Sequence, residues 1–127
     1  MIHAEKKIKD SSVLIMGITF KENCGDVRNS KVMDVIETLQ DIGIQITVAD
    51  PVAVKEEVLK EYGIHLNEDY ENNKYDAIIF AVAHDQFKKI SLSKIKEMSL
   101  GKPILIDIKG IFDRDEVLKR DIAYWSL

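Results

Sequence analysis

The chain has 127 residues, 46% hydrophobic and 31% charged, enough for one buried core and too few for two ordinary ones. With 18 basic against 22 acidic residues the net charge is −4, so no overall field draws nucleic acid, and an anion site must be a local concentration of positive charge. A lone cysteine forbids an internal disulfide, no apolar run approaches the roughly 20 residues that span a bilayer, and the start Met1 to Lys7 lacks the apolar core of a signal peptide, so a cytoplasmic location is expected.

The first element is predicted at Val13 to Ile18, a continuous apolar run of the kind shown by a parallel strand covered on both faces. It opens into Gly17-Ile18-Thr19-Phe20-Lys21-Glu22-Asn23-Cys24-Gly25-Asp26-Val27-Arg28-Asn29-Ser30. A helix follows, with Val32, Val35, Ile36, Leu39 and Ile42 on one face, Asn29 or Ser30 as its N-cap and Gly43 after its end. Gln45 to Ala49 reads as a second strand, closing on Asp50-Pro51. Val54, Val58, Leu59 and Tyr62 form another helical face before Gly63, and Ile64 to Leu66 reads as a short edge strand. Ala77 to Ala83 is a further buried strand, Ser91 to Ser99 a helix with Leu92, Ile95 and Met98 inward, and Ile104 to Ile108 a strand. A short helix near Asp115 to Lys119 and a last strand at Ala123 to Trp125 complete the chain, with Tyr124 and Trp125 expected to cover the sheet edge. Strand and helix alternate without repeats, low-complexity tracts or long linkers, which implies right-handed crossovers in a single α/β domain, an open doubly wound parallel sheet of Rossmann-like type.

Such sheets bind ligands beyond the carboxyl ends of their strands, where strand order reverses. The Phe20-Lys21 loop, the Asp50-Pro51 turn, the His84 loop and the Lys109-Gly110 loop are therefore expected on one rim. A strand opening into a loop with Lys21, Asp26 and Arg28, then a helix N-terminus, suits an anion, because backbone N–H groups and the helix dipole favour negative charge and the two cations add to it. The expected ligand carries phosphate. Asp50 resembles the ribose-binding acid of NAD domains, yet the G-x-G-x-x-G fingerprint is absent, since only Gly17 occupies the first turn, and an NAD site in this domain is disfavoured.

We assign ligand contact to Lys21, Arg28, His84 and Lys109, and loop shaping to Gly17, Asp26 and Ser30; ligand contact by Phe20 is implied only by the family resemblance described next. Each has a plainer alternative. Lys21 is otherwise a solvated surface lysine, Phe20 a core side chain, and His84 a polar residue ending a strand. Arg28 and Asp26 either pair with each other and pin the loop or reach the ligand. Cys24, beside Lys21 and Arg28, would have a lowered thiol pKa, but no histidine lies close in sequence and it reads as structural or incidental. His3, His65 and His84 lack metal-ligand spacing, so no metal site is expected, and no catalytic residue is assigned.

Gly17, Thr19, Phe20, Lys21, Asp26, Arg28 and Ser30 together resemble the Gly-x-Thr-Phe-Lys, Asp-x-Arg-x-Ser signature of the UDP-glucose/GDP-mannose dehydrogenase family, in the C-terminal nucleotide-sugar-binding domain. The likeness continues through Asp50-Pro51, Asp76 to Ala83 with His84-Asp85-Gln86-Phe87, and Asp107-Ile108-Lys109-Gly110. Gly25 stands where bacterial members acting on N-acetylated sugars usually carry Pro. The resemblance implies a UDP-sugar ligand and a parent enzyme that oxidises a C6 alcohol to a carboxylate in two NAD-dependent steps, through a thioester on cysteine, for polysaccharide precursor synthesis. It further implies an NAD-binding domain and a catalytic cysteine on segments this chain lacks, so residues 1–127 read as an excised domain or truncated product that binds substrate without turning it over. Phe20 to Cys24 and the Ala83-His84 loop look more like members handling UDP-N-acetylhexosamines. Expected partners are a UDP-sugar and the remaining domains or subunits of the dehydrogenase, with neither nucleic acid nor membrane. Two competing classes are a response-regulator receiver, which needs an acidic pair where this chain has Ile18 to Lys21, and an assembly module that uses a strand edge or helix face as a partner surface.

Overall fold

The structure is a computed structural model that describes residues 11–19 and 31–126. Phe20, Lys21, Cys24, Gly25, Asp26, Arg28, Asn29 and Ser30 lie outside the described residues, and with them the expected N-cap and most of the expected anion loop.

Five strands form one sheet: β1 (Ser12–Met16), β2 (Gln45–Ala49), β3 (Ala77–Phe80), β4 (Ile104–Asp107) and β5 (Ala123–Ser126). All four pairings are parallel, in the order β2-β1-β3-β4-β5. Helices α1 (Val32–Asp41), α2 (Lys55–Tyr62), α3 (Asp85–Lys88), α4 (Leu92–Glu97) and α5 (Arg114–Lys119) connect them. The open doubly wound α/β sheet expected from the sequence is the sheet observed.

The continuous apolar runs follow from the period of two along a strand. In β1, Val13 and Ile15 join Ala77, Ile79, Val48 and Ile104 beneath Val32 and Ile36 of α1 and Val58 of α2. Leu14 and Met16 point the other way, to Ile78, Phe80 and Leu105 beneath Phe87 of α3, Ile95 of α4 and Val117 of α5. Both faces of the central strands are covered, so neither face tolerates polar alternation. α2 ends on Gly63, whose left-handed backbone at φ 70° lets its N–H donate to the Leu59 carbonyl at 2.8 Å.

Three expectations are corrected. Ile64 to Leu66 is not a strand. Ile64 and Leu66 pack against the first cluster while His65 is exposed, an alternation that mimics a strand, but the segment only skirts the free edge of β2, where the Asn67 N–H donates to the Val48 carbonyl at 2.9 Å. β3 stops at Phe80 rather than Ala83: the Ala81 N–H still donates to the Met16 carbonyl at 2.9 Å, while Val82, also buried, lies against Gly17. The loop expected around His84 is present at residues 81–84, and the short helix α3, turned inward by buried Phe87, follows it without having been read from the sequence. Tyr124 does not cover the edge but points inward and is buried, while Trp125, alternating to the opposite face, is 54% exposed.

Gly17, just after β1, lies close against Val82, just after β3. Its φ is 106°, and a Cβ there would lie 2.7 Å from the Val82 Cβ and 3.1 Å from the Val82 backbone nitrogen. Gly63 is also left-handed, but a Cβ there meets nothing within 4 Å. Gly63→Ala should therefore cost only the backbone term, about 1–2 kcal/mol, whereas Gly17→Ala adds an overpacking cost of about 1–3 kcal/mol. Urea unfolding of the two variants should show the larger fall in midpoint for Gly17→Ala, with unchanged slope.

Candidate functional site

The strand order reverses at β1. The chain moves outward from β1 to β2, then returns past it to β3, so the crevice between the carboxyl ends of β1 and β3 is the switch point of the sheet. Gly17 to Thr19 lead out of β1 on one side of it, and Ala81 to His84 lead out of β3 on the other.

Asp50, at the end of β2, ties these segments together. Its Oδ2 accepts from the N–H of Ile18 at 2.8 Å, the N–H of Thr19 at 3.2 Å and His84 Nε2 at 3.0 Å. Its Oδ1 accepts from the N–H groups of Val52 at 2.8 Å and Ala53 at 3.0 Å. The side chains of both Asp50 and His84 are fully buried. A carboxylate can only accept, so His84 Nε2 carries the proton, and the Thr19 hydroxyl 3.1 Å from the same nitrogen shares it. Burial acts to raise the Asp50 pKa, but the hydrogen bonds from His84 and from the Ile18 N–H outweigh it and hold the carboxyl below its usual value of 3.8.

His84, assigned to substrate, faces inward and bonds protein groups; its ring lies 5.2 Å from that of Phe87, which sits on the next helix. The N–H groups of Ile18 and Thr19 are directed onto Asp50. Thr19, His84 and Asp50 also do not form a nucleophilic relay. Such a relay needs the hydroxyl and the carboxylate on different ring nitrogens, whereas here both meet Nε2. Nor does Asp50 suit an NAD ribose, since both its oxygens already accept from the protein.

A second buried carboxylate shapes the next loop along the rim. Asp107, closing β4, accepts on Oδ1 from the Ile111 N–H at 2.9 Å, and on Oδ2 from the Phe112 N–H at 2.8 Å and the Tyr124 hydroxyl at 2.7 Å. The Tyr124 hydroxyl is pushed above its ordinary value by burial and by the adjacent carboxylate, and the Arg114 guanidinium lies 5.4 Å from the ring centre. The loop so folded carries Lys109, which is exposed on the rim. Phe112 packs edge-on to Phe80, ring centres 5.0 Å apart, beneath this loop. Among the sequence-assigned residues, the structure brings Gly17 and His84 to the switch point, leaves Lys109 on its own loop, and does not describe Phe20, Lys21, Asp26, Arg28 or Ser30. Sequence reasoning missed Thr19 and Asp107 as site-shaping groups and treated Asp50 only as a possible ribose acid. Each of the two acids ends an apolar run, which was the available signal.

Among the described residues no group of three or more His, Cys, Asp or Glu could hold a metal ion, and no helix is long and apolar enough to cross a membrane. A cavity of about 220 Å³ lies beside the site at the end of β2, lined in part by Asp50, Pro51, Lys55, Leu66 and Tyr70.

The Asp50 geometry fixes the sign of a pH effect. A carboxyl whose folded pKa is depressed contributes stability that is present above its unfolded pKa and lost as pH falls through the folded value. Asp50→Asn should lower unfolding free energy at neutral pH by at least about 2 kcal/mol, as hydrogen bonds to a charged group contribute about 1.5–3 kcal/mol each. The gap between parent and variant should narrow below the ordinary carboxylate range, as read by urea unfolding at a series of pH values.

Residues 14–114 match the model of the UDP-glucose/GDP-mannose dehydrogenase family, UDP binding domain. The chain is 38% identical over 116 residues to a UDP-N-acetyl-D-glucosamine 6-dehydrogenase of Pseudomonas aeruginosa, covering 91% of this chain and 28% of that protein. It is 39% identical over 116 residues to the protein of the same name from Salmonella typhi, covering 91% and 27%. The chain thus spans a little over a quarter of the length of these relatives. Among solved structures it superposes on an NDP-N-acetyl-D-galactosaminuronic acid dehydrogenase from Methanosarcina mazei with a TM-score of 0.87 over 98% of this chain and 26% of that one, at 21% identity, a likeness of fold.

Proposed function

We propose that this chain, which belongs to the UDP-glucose/GDP-mannose dehydrogenase family, is the UDP-sugar-binding, C-terminal domain of an NAD-dependent nucleotide-sugar 6-dehydrogenase. The observation that carries the reading is the switch point between β1 and β3, where Gly17 to Thr19, the described part of the Gly-x-Thr-Phe-Lys signature, leave β1. Lys21 and Arg28 supply the positive charge for the diphosphate, Phe20 contacts the nucleotide sugar, and Lys109 approaches from the β4 loop. Asp26 and Ser30 shape the loop, with Asp26 also available to pair with Arg28. Residues 1–127 form one nucleotide-sugar-binding unit.

The names of the two relatives support a UDP-N-acetylhexosamine as the sugar, and oxidation of its C6 alcohol to a carboxylate as the parent reaction in polysaccharide precursor synthesis. NAD and the nucleophilic cysteine belong to other segments of the parent enzyme, which is a cytoplasmic protein in this reading. The receiver alternative is not favoured, because Ile18-Thr19 stands where its acidic pair belongs.

Lys21→Ala should weaken UDP binding about tenfold to hundredfold, the equivalent of a charge-assisted contact of about 1.5–3 kcal/mol, with little change in thermal midpoint. Calorimetric titration with UDP reads this, and an unchanged affinity would remove the loop from the site. Saturation by NAD in place of UDP would overturn the ligand class. The purified 127-residue chain should generate no NADH from UDP-N-acetylglucosamine, since hydride acceptor, nucleophile and substrate must be held together at reacting distance; absorbance at the NADH band reads that outcome.

A further inference from the structure

The group that the proposed function leaves unused is the buried cluster of Asp50, His84 and Thr19. It joins three rim segments that are far apart in sequence: Ile18-Thr19 after β1, Asp50 to Ala53 after β2, and His84 after β3. Stability alone does not account for its position. A carboxylate buried at the end of β2 could have been satisfied by its own turn, as Oδ1 is by Val52 and Ala53. Instead Oδ2 reaches across to the last two residues before position 20, and His84 reaches from the opposite wall to the same oxygen and to the Thr19 hydroxyl. Thr19 is therefore held by backbone and side chain together, and it is 2% exposed. Gly17, two residues earlier, is pressed against Val82 and donates its N–H to the Ala49 carbonyl at 2.8 Å. Every residue from Gly17 to Thr19 is fixed to β2, to the β3 loop or to both.

We infer that Asp50, His84 and Thr19 are positioning residues for nucleotide-sugar binding: they set the point and direction at which the chain leaves β1 for Phe20 and Lys21, and so set the affinity for the diphosphate without touching it. The inference rests on the proposed ligand loop. Small displacements of a binding group cost large factors in affinity or rate, and a preorganised segment avoids the ordering cost that a free one meets on binding. His84 acts here as a fixed donor to Asp50.

The test is UDP titration of the full 127-residue chain and its variants, at a temperature where circular dichroism shows each to be folded. Thr19→Val keeps shape and burial but removes the hydroxyl, and His84→Gln places an amide nitrogen near the Nε2 position, keeping a donor for Asp50. Thr19→Val should weaken UDP binding about fivefold to tenfold, on the scale of one hydrogen bond, with its urea midpoint close to the parent. His84→Ala should weaken it further, and His84→Gln should recover most of the loss. Lys21→Ala should cost less in the Thr19→Val background than in the parent, because a misplaced lysine has less to lose. If Lys21→Ala weakens binding while Thr19→Val and His84→Ala leave it unchanged, or if the Lys21 and Thr19 effects multiply independently, the positioning role is overturned and the proposed ligand loop stands. If Lys21→Ala itself has no effect, the proposed ligand loop fails and the positioning role falls with it. Should His84→Ala not fold, Thr19→Val and its double variant with Lys21→Ala decide alone.

Discussion

The structure of the rim depends on one buried carboxylate. Asp50 is removed from water, a cost that only full hydrogen bonding offsets, and it accepts from four backbone N–H groups and one imidazole. The consequence runs in both directions. The ionised form is favoured by its donors, and the donors are fixed by the ionised form, so three loops that share no sequence neighbourhood become one rigid wall. At the carboxyl edge of a parallel sheet this solves a general difficulty. Chains leaving the strands carry N–H groups with no ladder partner, and buried ones must find an acceptor.

Asp107 solves the same difficulty for the β4 loop, with the Tyr124 hydroxyl where Asp50 has His84. The two acids differ in what they join. Asp107 draws together its own loop and the neighbouring strand β5, a contact between adjacent elements. Asp50 bridges the outer strand β2 to both strands that flank the switch point. Rigidity is thus concentrated on the crevice where the topology opens. Phe87 and Phe112 then pack edge-on against Phe80 from α3 and from the β4 loop, and so fix the second face of the core beneath the same rim.

β1, β3 and β4 were legible because burial on both faces forces continuous apolar runs, and α1 and α2 because their apolar positions recur at helical spacing and end at Gly43 and Gly63. The misreadings have physical causes. Ile64-His65-Leu66 alternates like a strand because it lines an edge, not because it pairs with one. Ala81 and Val82 remain buried past the end of β3, Val82 against Gly17, so the apolar run outlasts the strand. α3 is a single turn, too short to show a period. The contact between Asp50 and His84 spans 34 positions, and no local pattern announces a long-range hydrogen bond. The resemblance identified His84 and Asp50 as sites of interest, but only the fold shows that they face each other.

The same carboxylate also decides how an anion can be held here. In a glycine-rich dinucleotide loop, the N–H groups after the first glycine approach the pyrophosphate. In this chain the N–H groups of Ile18 and Thr19, the first two after Gly17, are both directed to Asp50. A phosphate therefore cannot use those two donors, and the missing second and third glycines agree with that, since no close backbone approach is needed at those positions. Recognition of charge must come instead from donors further along the chain or from side chains. A sequence that places Lys21 and Arg28 on the segment leaving Thr19 supplies such cations. Side-chain cations act over a longer reach than backbone donors but depend more on where their backbone begins. Fixing Thr19 is thus the structural counterpart of giving up the glycine-rich loop.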